Sequence, residues 1–299
     1  KAIRRQRQMC IRDSMNTFKL NNGLEIPVTG FGVYQISKED CKESVLSALK
    51  AGYRHIDTAQ AYFNEEQVGE AIKASGLKRE EIFVTTKIWI DNYGEGKTYV
   101  SVIESLRKLQ LDYVDLILLH QPIGDYYSAY RDLEKLYKEG KVKSIGVSNF
   151  YPDRLVDICL FSEIKPMVNQ IEINVFNQQN EAKKWADKYG VVLEAWAPFA
   201  EGRNNMFKNE TLTQIANKHN KTVAQVILRW LLQREIVSLA KSVHENRIKE
   251  NYDIFSFSLD EEDMNLIATL DKQTSSFFSH QDPKMIEWFG DLIIQRRGK

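Results

Sequence analysis

Three successive apolar segments of the chain each run into a single ionisable residue. The first ends at Asp57, the second at Lys87 and the third at His120, and Tyr62 follows the aspartate by five positions. A charge at the end of a buried strand is costly unless it is paired, so this pattern is a poor way to build a core. It is a suitable way to assemble groups that transfer a proton.

The four side chains have complementary chemistry if the strands that carry them are neighbours. Adjacent strands lie about 4.8 Å apart, so the three strand ends would fall within roughly 10 Å of one another. Because an ammonium stabilises a phenolate, we expect Lys87 to lower the pKa of Tyr62, while Asp57 keeps the lysine charged. His120 can donate a hydrogen bond to a substrate oxygen. Together the groups predict a tyrosine acid that protonates a developing alkoxide.

Each of these residues also has an ordinary structural interpretation. Taken singly, Asp57 is compatible with a helix cap, Tyr62 with core packing, Lys87 with an amine that reaches solvent, and His120 with a bond to a carbonyl. The occurrence of all four at consecutive strand ends favours the catalytic interpretation.

The bulk composition excludes several classes of function. The chain has 299 residues, 43% of them hydrophobic, and Lys plus Arg balance Asp plus Glu at 41 each. This balance argues against nucleic acid or an anionic membrane as a partner, because both require a basic surface. No apolar run approaches the roughly 20 residues that span a bilayer. The cysteines and histidines lack disulfide or metal-site spacing, so we expect no metal and a reduced, cytoplasmic setting.

The elements that would position the four residues alternate between strands and helices. Two short strand-like runs flank Asn-Asn-Gly at 21–23, which is a hairpin signal, and eight strand patterns with intervening helical periodicity follow. This order predicts an α/β fold, a closed (β/α)8 TIM barrel with an N-terminal β-hairpin and a C-terminal tail. In such barrels the chemistry lies at the carboxyl ends of the strands.

We expect a single domain over residues 15–299, preceded by a basic, non-native or disordered leader at 1–14. A last helix is expected over 260–270, with a capping box that starts at Ser258. An aromatic tail follows it. Five loop and tail aromatics are expected to wall the substrate pocket: Tyr34, Trp89, Phe150, Trp288 and Phe289.

A second polar cluster follows the eighth strand. Lys241 and Ser242 end that strand, and Arg247 lies in the first turns of the next helix. A barrel's phosphate site commonly lies here, against a helix amino terminus. Two cations with a hydroxyl suit a ribose 2′-phosphate better than a bare ribose hydroxyl. Taken alone, two solvated surface bases would be the simpler interpretation.

Five short motifs resemble those of the aldo-keto reductases, in that family's order and over nearly the whole chain. The similarity is greatest to bacterial reductases of diketogluconate and of small aldehydes. Two positions depart from the family pattern, since Ala240 replaces a common proline and Gln121 a common tryptophan, which bears on loop shape and substrate preference. The motifs are DTAxxY at 57–62, TKIW at 86–89, LHxP at 119–122, GVSNF at 146–150, and KS with RxxEN within 241–251.

The resemblance implies a reductase that uses NADPH to convert aldehydes or ketones to alcohols, with hydride transfer accompanied by a tyrosine's proton. It implies catalytic roles for Asp57, Tyr62, Lys87 and His120, and substrate contacts from Trp89 and His120. It also implies that the nicotinamide ring stacks on Trp196 and that Ser148, Asn149 and Gln170 bind its carboxamide. The implied NADPH/NADP+ site comprises Gly32, Val33, Tyr34, Asp57, Ser148, Asn149, Gln170, Trp196, Lys241, Ser242, Arg247, Glu250 and Asn251.

Two other functions compete with carbonyl reduction. A barrel hydrolase such as a glycosidase would use Glu194, at the end of the seventh strand, with a second carboxylate. It would need an acid on the fourth strand, where the sequence has His120. A nicotinamide-binding sensor or scaffold with incidental catalysis is the nearer alternative, and the complete catalytic set weakens it. We expect a small carbonyl substrate as the partner, and a monomer or weak dimer.

Overall fold

A hairpin closes one end of the barrel. The computed structural model describes residues 17–297, so the leader predicted at 1–14 lies outside the described residues. Strand β1 (Thr17–Lys19) pairs antiparallel with β2 (Glu25–Pro27), as the Asn-Asn-Gly turn predicts. The side-chain amides of the two turn asparagines donate to carbonyls that immediately precede two barrel strands. The hairpin therefore lies against the amino ends of the strands, away from the expected site.

Eight parallel strands close into a barrel, which confirms the predicted fold. Each strand pairs with the next one along the chain, and the last pairs with the first. In chain order the strands are β3 (Thr29–Gly32), β4 (His55–Asp57), β5 (Phe83–Ile88), β6 (Leu116–Leu119), β7 (Ile145–Ser148), β8 (Val168–Glu172), β9 (Val192–Trp196) and β10 (Val237–Ala240).

Helices cover the outside of the barrel. The first one begins after Ser37, whose hydroxyl accepts from the Asp40 N–H at 3.2 Å, as a helix cap does. No helix in the described range is long and apolar enough to cross a membrane. The helices are α1 (Lys38–Ala51), α2 (Glu65–Ala74), α3 (Lys97–Leu109), α4 (Tyr126–Lys138), α5 (Pro152–Phe161), α6 (Asn180–Tyr189), α7 (Glu210–His219), α8 (Val223–Gln233) and α9 (Glu245–Tyr252).

The barrel strands are buried on both faces, because helices cover the outside and side chains fill the interior. Every residue of β4 to β8 is buried. Most are hydrophobic, but His55, Asp57, Lys87 and Gln170 are buried polar residues of these strands, and Glu194 is another, on β9. Buried polar groups need hydrogen-bond partners, so these residues are expected to contact one another.

The end of the chain differs from the prediction in two respects. Helix α10 (Glu261–Ala268) is capped by Asp260, whose carboxylate accepts from the Asp263 N–H at 2.9 Å, so the cap expected at Ser258 is wrong. The aromatic tail then contains a further helix, α11 (Pro283–Arg297). The sequence analysis missed this helix because the tail does not continue the strand–helix repeat.

Gly69 of α2 lies against the end of α3, and we expect it to be intolerant of a side chain. A Cβ at this position would lie 2.2 Å from the carbonyl oxygen of Leu109. Alanine favours a helix over glycine by about 0.5–1 kcal/mol, but overpacking costs about 1–3 kcal/mol. Gly69→Ala should therefore lower the Tm measured by thermal unfolding. The control Gly290→Ala, with nothing within 4 Å of the new Cβ, should not. An unchanged Tm for Gly69→Ala would contradict this packing.

Candidate active site

The ends of β4 and β5 bring three of the predicted residues into direct contact. Lys87 is fully buried, and its Nζ donates to Asp57 Oδ1 at 2.5 Å, to the Thr58 carbonyl at 3.1 Å and to the Tyr62 hydroxyl at 3.2 Å. Asp57 lies opposite Thr85 in the strand register, and Lys87, two residues further on, projects to the same face. All three donors of the ammonium are thereby used.

Lys87 remains charged in this position. Burial is the largest single effect and lowers the pKa of the ammonium, but Asp57 and Tyr62 together outweigh it, so the pKa of Lys87 is raised. A fixed positive charge therefore lies beside the hydroxyl of Tyr62.

The pKa of Tyr62 differs from the expectation. Burial raises it most, the Lys87 charge lowers it and the Asp57 charge raises it, which leaves the pKa at about 12. The lysine acts in the expected direction, but the expected net decrease is wrong because burial is the larger effect. Tyr62 consequently holds its proton throughout the neutral range, as a proton donor must.

A short 3-10 turn, Gln60–Tyr62, positions the tyrosine, and the side chain of Gln60 holds this turn in place. Gln60 Oε1 accepts from the Trp89 N–H at 3.0 Å and from the Asn92 amide at 2.8 Å, and its Nε2 donates to the Ser105 hydroxyl at 3.0 Å. These bonds tie the turn to the loop after β5 and to α3. Sequence analysis missed Gln60, because its partners lie about thirty or more residues away along the chain.

His120 follows β6, and its ring faces the same space. Its ring centroid lies 5.7 Å from that of Tyr62 and 5.1 Å from that of Trp89. The pKa of His120 is well below its usual value, because burial and then the Lys87 charge disfavour the imidazolium. A neutral imidazole here can donate a hydrogen bond to an oxygen held between it and the tyrosine.

Residues from β7, β8 and β9 form a second group that is hydrogen-bonded to the first. Trp196 Nε1 donates to Asn149 Oδ1 at 2.8 Å, and the Asn149 amide donates to the His120 carbonyl at 3.1 Å. Gln170 Nε2 donates to Asp57 Oδ2 at 3.0 Å. The structure thus places the residues predicted for the nicotinamide directly beside the catalytic ones.

The turn after β7 is fixed by several side-chain bonds. Ser148 Oγ donates to the Gln170 carbonyl at 2.8 Å. Asn149 adopts a φ of 65°, a left-handed conformation that asparagine tolerates better than most residues. Its amide also donates to Gln121 Oε1 at 3.2 Å, and Gln121 is buried. The glutamine that replaces the family's common tryptophan therefore supports this turn.

The end of β3 contributes the other residues predicted beside Asp57. The Val33 N–H donates to the Asp57 carbonyl at 3.0 Å, directly after Gly32. Tyr34 lies 5.0 Å from Tyr62 between ring centroids, and its side chain is 53% exposed. Tyr34 therefore borders an open side of the site rather than the closed wall we expected.

The remaining aromatic wall is only partly found. Trp89 packs against Phe289 at 5.9 Å between ring centroids, and both are buried. Phe150 is fully buried in the core, so it is not placed as the expectation requires, whereas Trp288 is half-exposed beside Phe289, with their ring centroids 5.0 Å apart. Trp89 and Phe289 thus form the wall on the His120 side.

The tail that carries Phe289 is anchored at the end of β8. Glu172 accepts from the Ser275 hydroxyl at 2.5 Å and from the Ser276 N–H at 2.8 Å. The neighbouring Phe277 ring lies 5.3 Å from that of Trp196. This anchor was also missed, because it joins residues more than 100 positions apart.

Two cations face solvent after β10. Lys241 and Arg247 are exposed, and neither forms an ion pair within residues 17–297. Ser242 is buried, and its hydroxyl accepts from the backbone N–H two residues further on at 3.0 Å. Unpaired cations at the amino end of α9 fit a phosphate ligand. The other residues predicted here, Glu250 and Asn251, lie on the same helix.

Glu194 does not support the hydrolase alternative. Strand β9 continues to Trp196, so Glu194 lies inside the barrel, where it is fully buried, and its Oε2 accepts from Gln170 Nε2 at 2.7 Å. A glycosidase acid must flank the scissile bond of a bound sugar. The expectation that Glu194 ends the strand is therefore wrong.

Comparison with known proteins agrees with this geometry. A sequence model described as the Aldo/keto reductase family matches residues 28–272. The chain belongs to the aldo/keto reductase family, and it is an NADP-dependent oxidoreductase that acts on carbonyl compounds.

Two curated relatives and two solved structures illustrate the similarity. Glyoxal reductase of Bacillus subtilis is 50% identical over 86% of this chain and 93% of its own, and methylglyoxal reductase DkgA of Escherichia coli is 40% identical over 85% and 93%. An aldo-keto reductase from a deep-sea metagenome library has a TM-score of 0.87 at 45% identity, covering 89% and 98%. A Bombyx mori aldo-keto reductase in complex with NADP has a TM-score of 0.84 at 34% identity, covering 88% and 94%.

If Lys241 binds the 2′-phosphate of NADPH, replacement of Lys241 should weaken the binding of NADPH and leave the binding of NADH unchanged. A charge-assisted contact contributes about 1.5–3 kcal/mol, so Lys241→Ala should raise the Kd for NADPH roughly ten- to a hundredfold. The control Lys249→Ala lies on α9, where its ammonium already pairs with Glu245 at 2.6 Å, and should change neither Kd. The Kd values for NADPH and NADH are measured by quenching of protein fluorescence in the wild type and in both variants. Equal losses for NADPH and NADH would contradict the assignment.

Proposed function

We propose that the protein reduces small aldehydes, and 1,2-dicarbonyl compounds such as glyoxal and methylglyoxal in particular, with NADPH as the hydride donor and Tyr62 as the proton donor. The observation that carries the proposal is the contact of Lys87 Nζ with both Asp57 and the Tyr62 hydroxyl inside the barrel.

Bound NADPH supplies the hydride, and the residues of this chain manage the charge that develops on the substrate oxygen. Tyr62 donates its proton to that oxygen, and the Lys87 ammonium stabilises the phenolate that remains. Asp57 keeps the lysine in place. Neutral His120 donates a hydrogen bond that orients the carbonyl and contributes to stabilising the transition state.

The substrate class rests on two lines of support. The two relatives described above carry the names glyoxal reductase and methylglyoxal reductase. In this chain, Trp89 lies against His120, and Phe289 packs against Trp89, which limits the room on that side of the carbonyl. A compact substrate fits such a site better than a bulky one.

The cellular setting and assembly belong to the same proposal. A cytoplasmic location is consistent with two free, buried thiols, Cys41 and Cys159. We propose a monomer or weak dimer. A sensor with incidental catalysis has no specific contact in its favour, since a mere binding site needs no buried ammonium beside a tyrosine.

Replacement of Tyr62 by phenylalanine should separate binding from chemistry. Tyr62→Phe removes the transferable proton, so kcat should fall by at least about two orders of magnitude while the Kd for NADPH changes little. The control Tyr99→Phe loses only an exposed hydroxyl bonded to Glu139 and should behave as wild type. Retention of more than half the wild-type kcat by Tyr62→Phe would disprove the proton-donor assignment.

The substrate class can be tested with pairs of substrates. We expect the wild type to show a higher kcat/KM for methylglyoxal and glyoxal than for benzaldehyde or a keto sugar, because the wall of Trp89 and Phe289 disfavours bulk. Phe289→Ala should raise the kcat/KM for benzaldehyde roughly tenfold relative to that for methylglyoxal, since one pocket group typically contributes about 1–3 kcal/mol. A wild type that prefers the bulky substrates would refute the small-aldehyde proposal and leave the tyrosine chemistry intact.

A further inference from the structure

One buried acid of the barrel has no part in the mechanism above. Glu194 of β9 is fully buried, and so is its neighbour Gln170 of β8. Gln170 Nε2 donates one hydrogen bond to Glu194 Oε2 at 2.7 Å and another to Asp57 Oδ2 at 3.0 Å. The two hydrogens of this amide are therefore divided between two carboxyl groups. Glu194 is linked in this way to the catalytic aspartate through a single side chain.

The two hydrogen bonds of the Gln170 amide fix the orientation of its side chain. Both hydrogens of Nε2 point into the barrel, so the carbonyl oxygen, Oε1, points away from the two acids. Within residues 17–297, Oε1 has no hydrogen-bond donor, and it is not among the buried polar atoms that lack a partner. Although Gln170 is buried, its Oε1 is thus the acceptor of this amide that is left for the nicotinamide carboxamide.

The charges around Glu194 indicate its protonation state. Asp57 and His55 face it from β4 and Lys87 from β5, while its partner on β10, Val237, carries no charge. Lys87 already pairs with Asp57, and burial lowers the pKa of His55 to about 3, so no cation remains for a second carboxylate. Burial and then the Asp57 charge raise the pKa of Glu194 to about 8.

The two oxygens of Glu194 agree with a neutral acid. Oε2 accepts from Gln170, so it does not need a proton of its own. Oε1 has no donor in the described part of the chain, and the ring nitrogen His55 Nε2 lies 3.6 Å away, beyond hydrogen-bond distance. A carboxylate would leave this oxygen charged and unpaired in the core, and a buried unpaired charge costs far more than a neutral hydroxyl at the same place.

We propose that Glu194 is a positioning residue of the cofactor site. As a neutral acid, it holds the Gln170 amide so that Oε1 is presented to the nicotinamide carboxamide, and it keeps the buried catalytic cluster without excess charge. Its ionisation would add a second negative charge near Lys87, which makes Tyr62 a weaker acid. This inference rests on the proposed function, since it concerns the same nicotinamide and the same tyrosine.

The first test is the pH dependence of kcat with NADPH and methylglyoxal. In the wild type, Glu194 ionises as the pH rises through about 8 and adds a negative charge near Lys87, the cation that stabilises the Tyr62 phenolate. If this raises the pKa of Tyr62 by about half a unit, its proton affinity changes about threefold. We therefore expect kcat to fall about threefold or more between pH 7 and pH 9. In Glu194→Gln, which cannot ionise, the profile normalised to its own value at pH 7 should stay level.

The matched control is Glu65→Gln. Glu65 is also buried and also has a raised pKa because of burial, but its carboxylate accepts from the Thr86 hydroxyl and has no contact with Gln170. Its normalised profile should follow the wild type. A wild-type profile without the alkaline fall, or the same fall in Glu194→Gln, would overturn the electrostatic role of Glu194.

The second test concerns binding and needs no turnover. Glu194→Met keeps the length of the side chain but removes the acceptor, so the Gln170 amide can rotate. The Kd for NADPH should rise roughly five- to tenfold, the usual size of one hydrogen bond, and the Kd for 2′,5′-ADP, which lacks nicotinamide, should not change. Equal losses for both ligands, or no loss for NADPH, would overturn the positioning role. If Glu194→Met does not fold, the pH profile of kcat for Glu194→Gln alone tests the role of Glu194.

The outcomes separate this inference from the proposed function. Absence of NADPH oxidation with every carbonyl tested in the wild type would refute the proposed function, while the two dissociation constants still decide the role of Glu194. A wild type that turns over methylglyoxal, with both Glu194 variants identical to it in profile and in Kd, would refute the present inference alone.

Discussion

The site depends on one buried ammonium. An isolated charge in a core costs several kcal/mol, so Lys87 is tolerated only because Asp57 lies at 2.5 Å and the Thr58 carbonyl completes its hydrogen bonds. Strands β4 and β5 must therefore be neighbours in one fixed register. The third hydrogen of the ammonium is donated to the Tyr62 hydroxyl, which the turn after β4 places 3.2 Å from Lys87 Nζ. Folding and proton transfer impose the same geometry here.

The same requirement extends outward from the ion pair. The second oxygen of Asp57 is satisfied by Gln170, and the second hydrogen of that amide is satisfied by Glu194. Asn149 links the carbonyl after His120 to the indole of Trp196. Residues of four strands, β4, β5, β8 and β9, together with those directly after β6 and β7, thereby form a polar network in a barrel that is otherwise filled largely by hydrophobic side chains. A network of this kind is costly when it is broken at any one point, which keeps the cofactor residues and the catalytic residues in a constant relation.

The sequence predicts those features that are local or periodic. The strand patterns place Asp57, Lys87 and His120 at strand ends, and the hairpin turn and the cap at Ser37 follow from three- or four-residue signals. It does not predict features that arise from the meeting of distant segments. The net rise in the pKa of Tyr62 comes from burial, and the link from Gln170 to Asp57 joins residues 113 positions apart. The tail helix is not predicted because it lies outside the strand–helix repeat, and the contact of the tail with Glu172 is a long-range one.

The buried pair also explains why the catalytic residues cannot be replaced singly without a structural effect. Removal of one partner of a buried ion pair leaves an uncompensated charge and typically costs about 3–5 kcal/mol, whereas replacement of both by apolar groups is often nearly neutral. Loss of Asp57 alone would leave the ammonium of Lys87 without its carboxylate partner. Loss of Lys87 alone would leave Asp57 and Glu194 joined, among residues 17–297, only by the Gln170 amide. A double replacement would preserve the barrel and abolish the chemistry. The chemistry therefore requires the pair of Lys87 and Asp57, whereas the fold only tolerates it. Each of the two residues limits the replacement of the other more strongly than the surrounding core does.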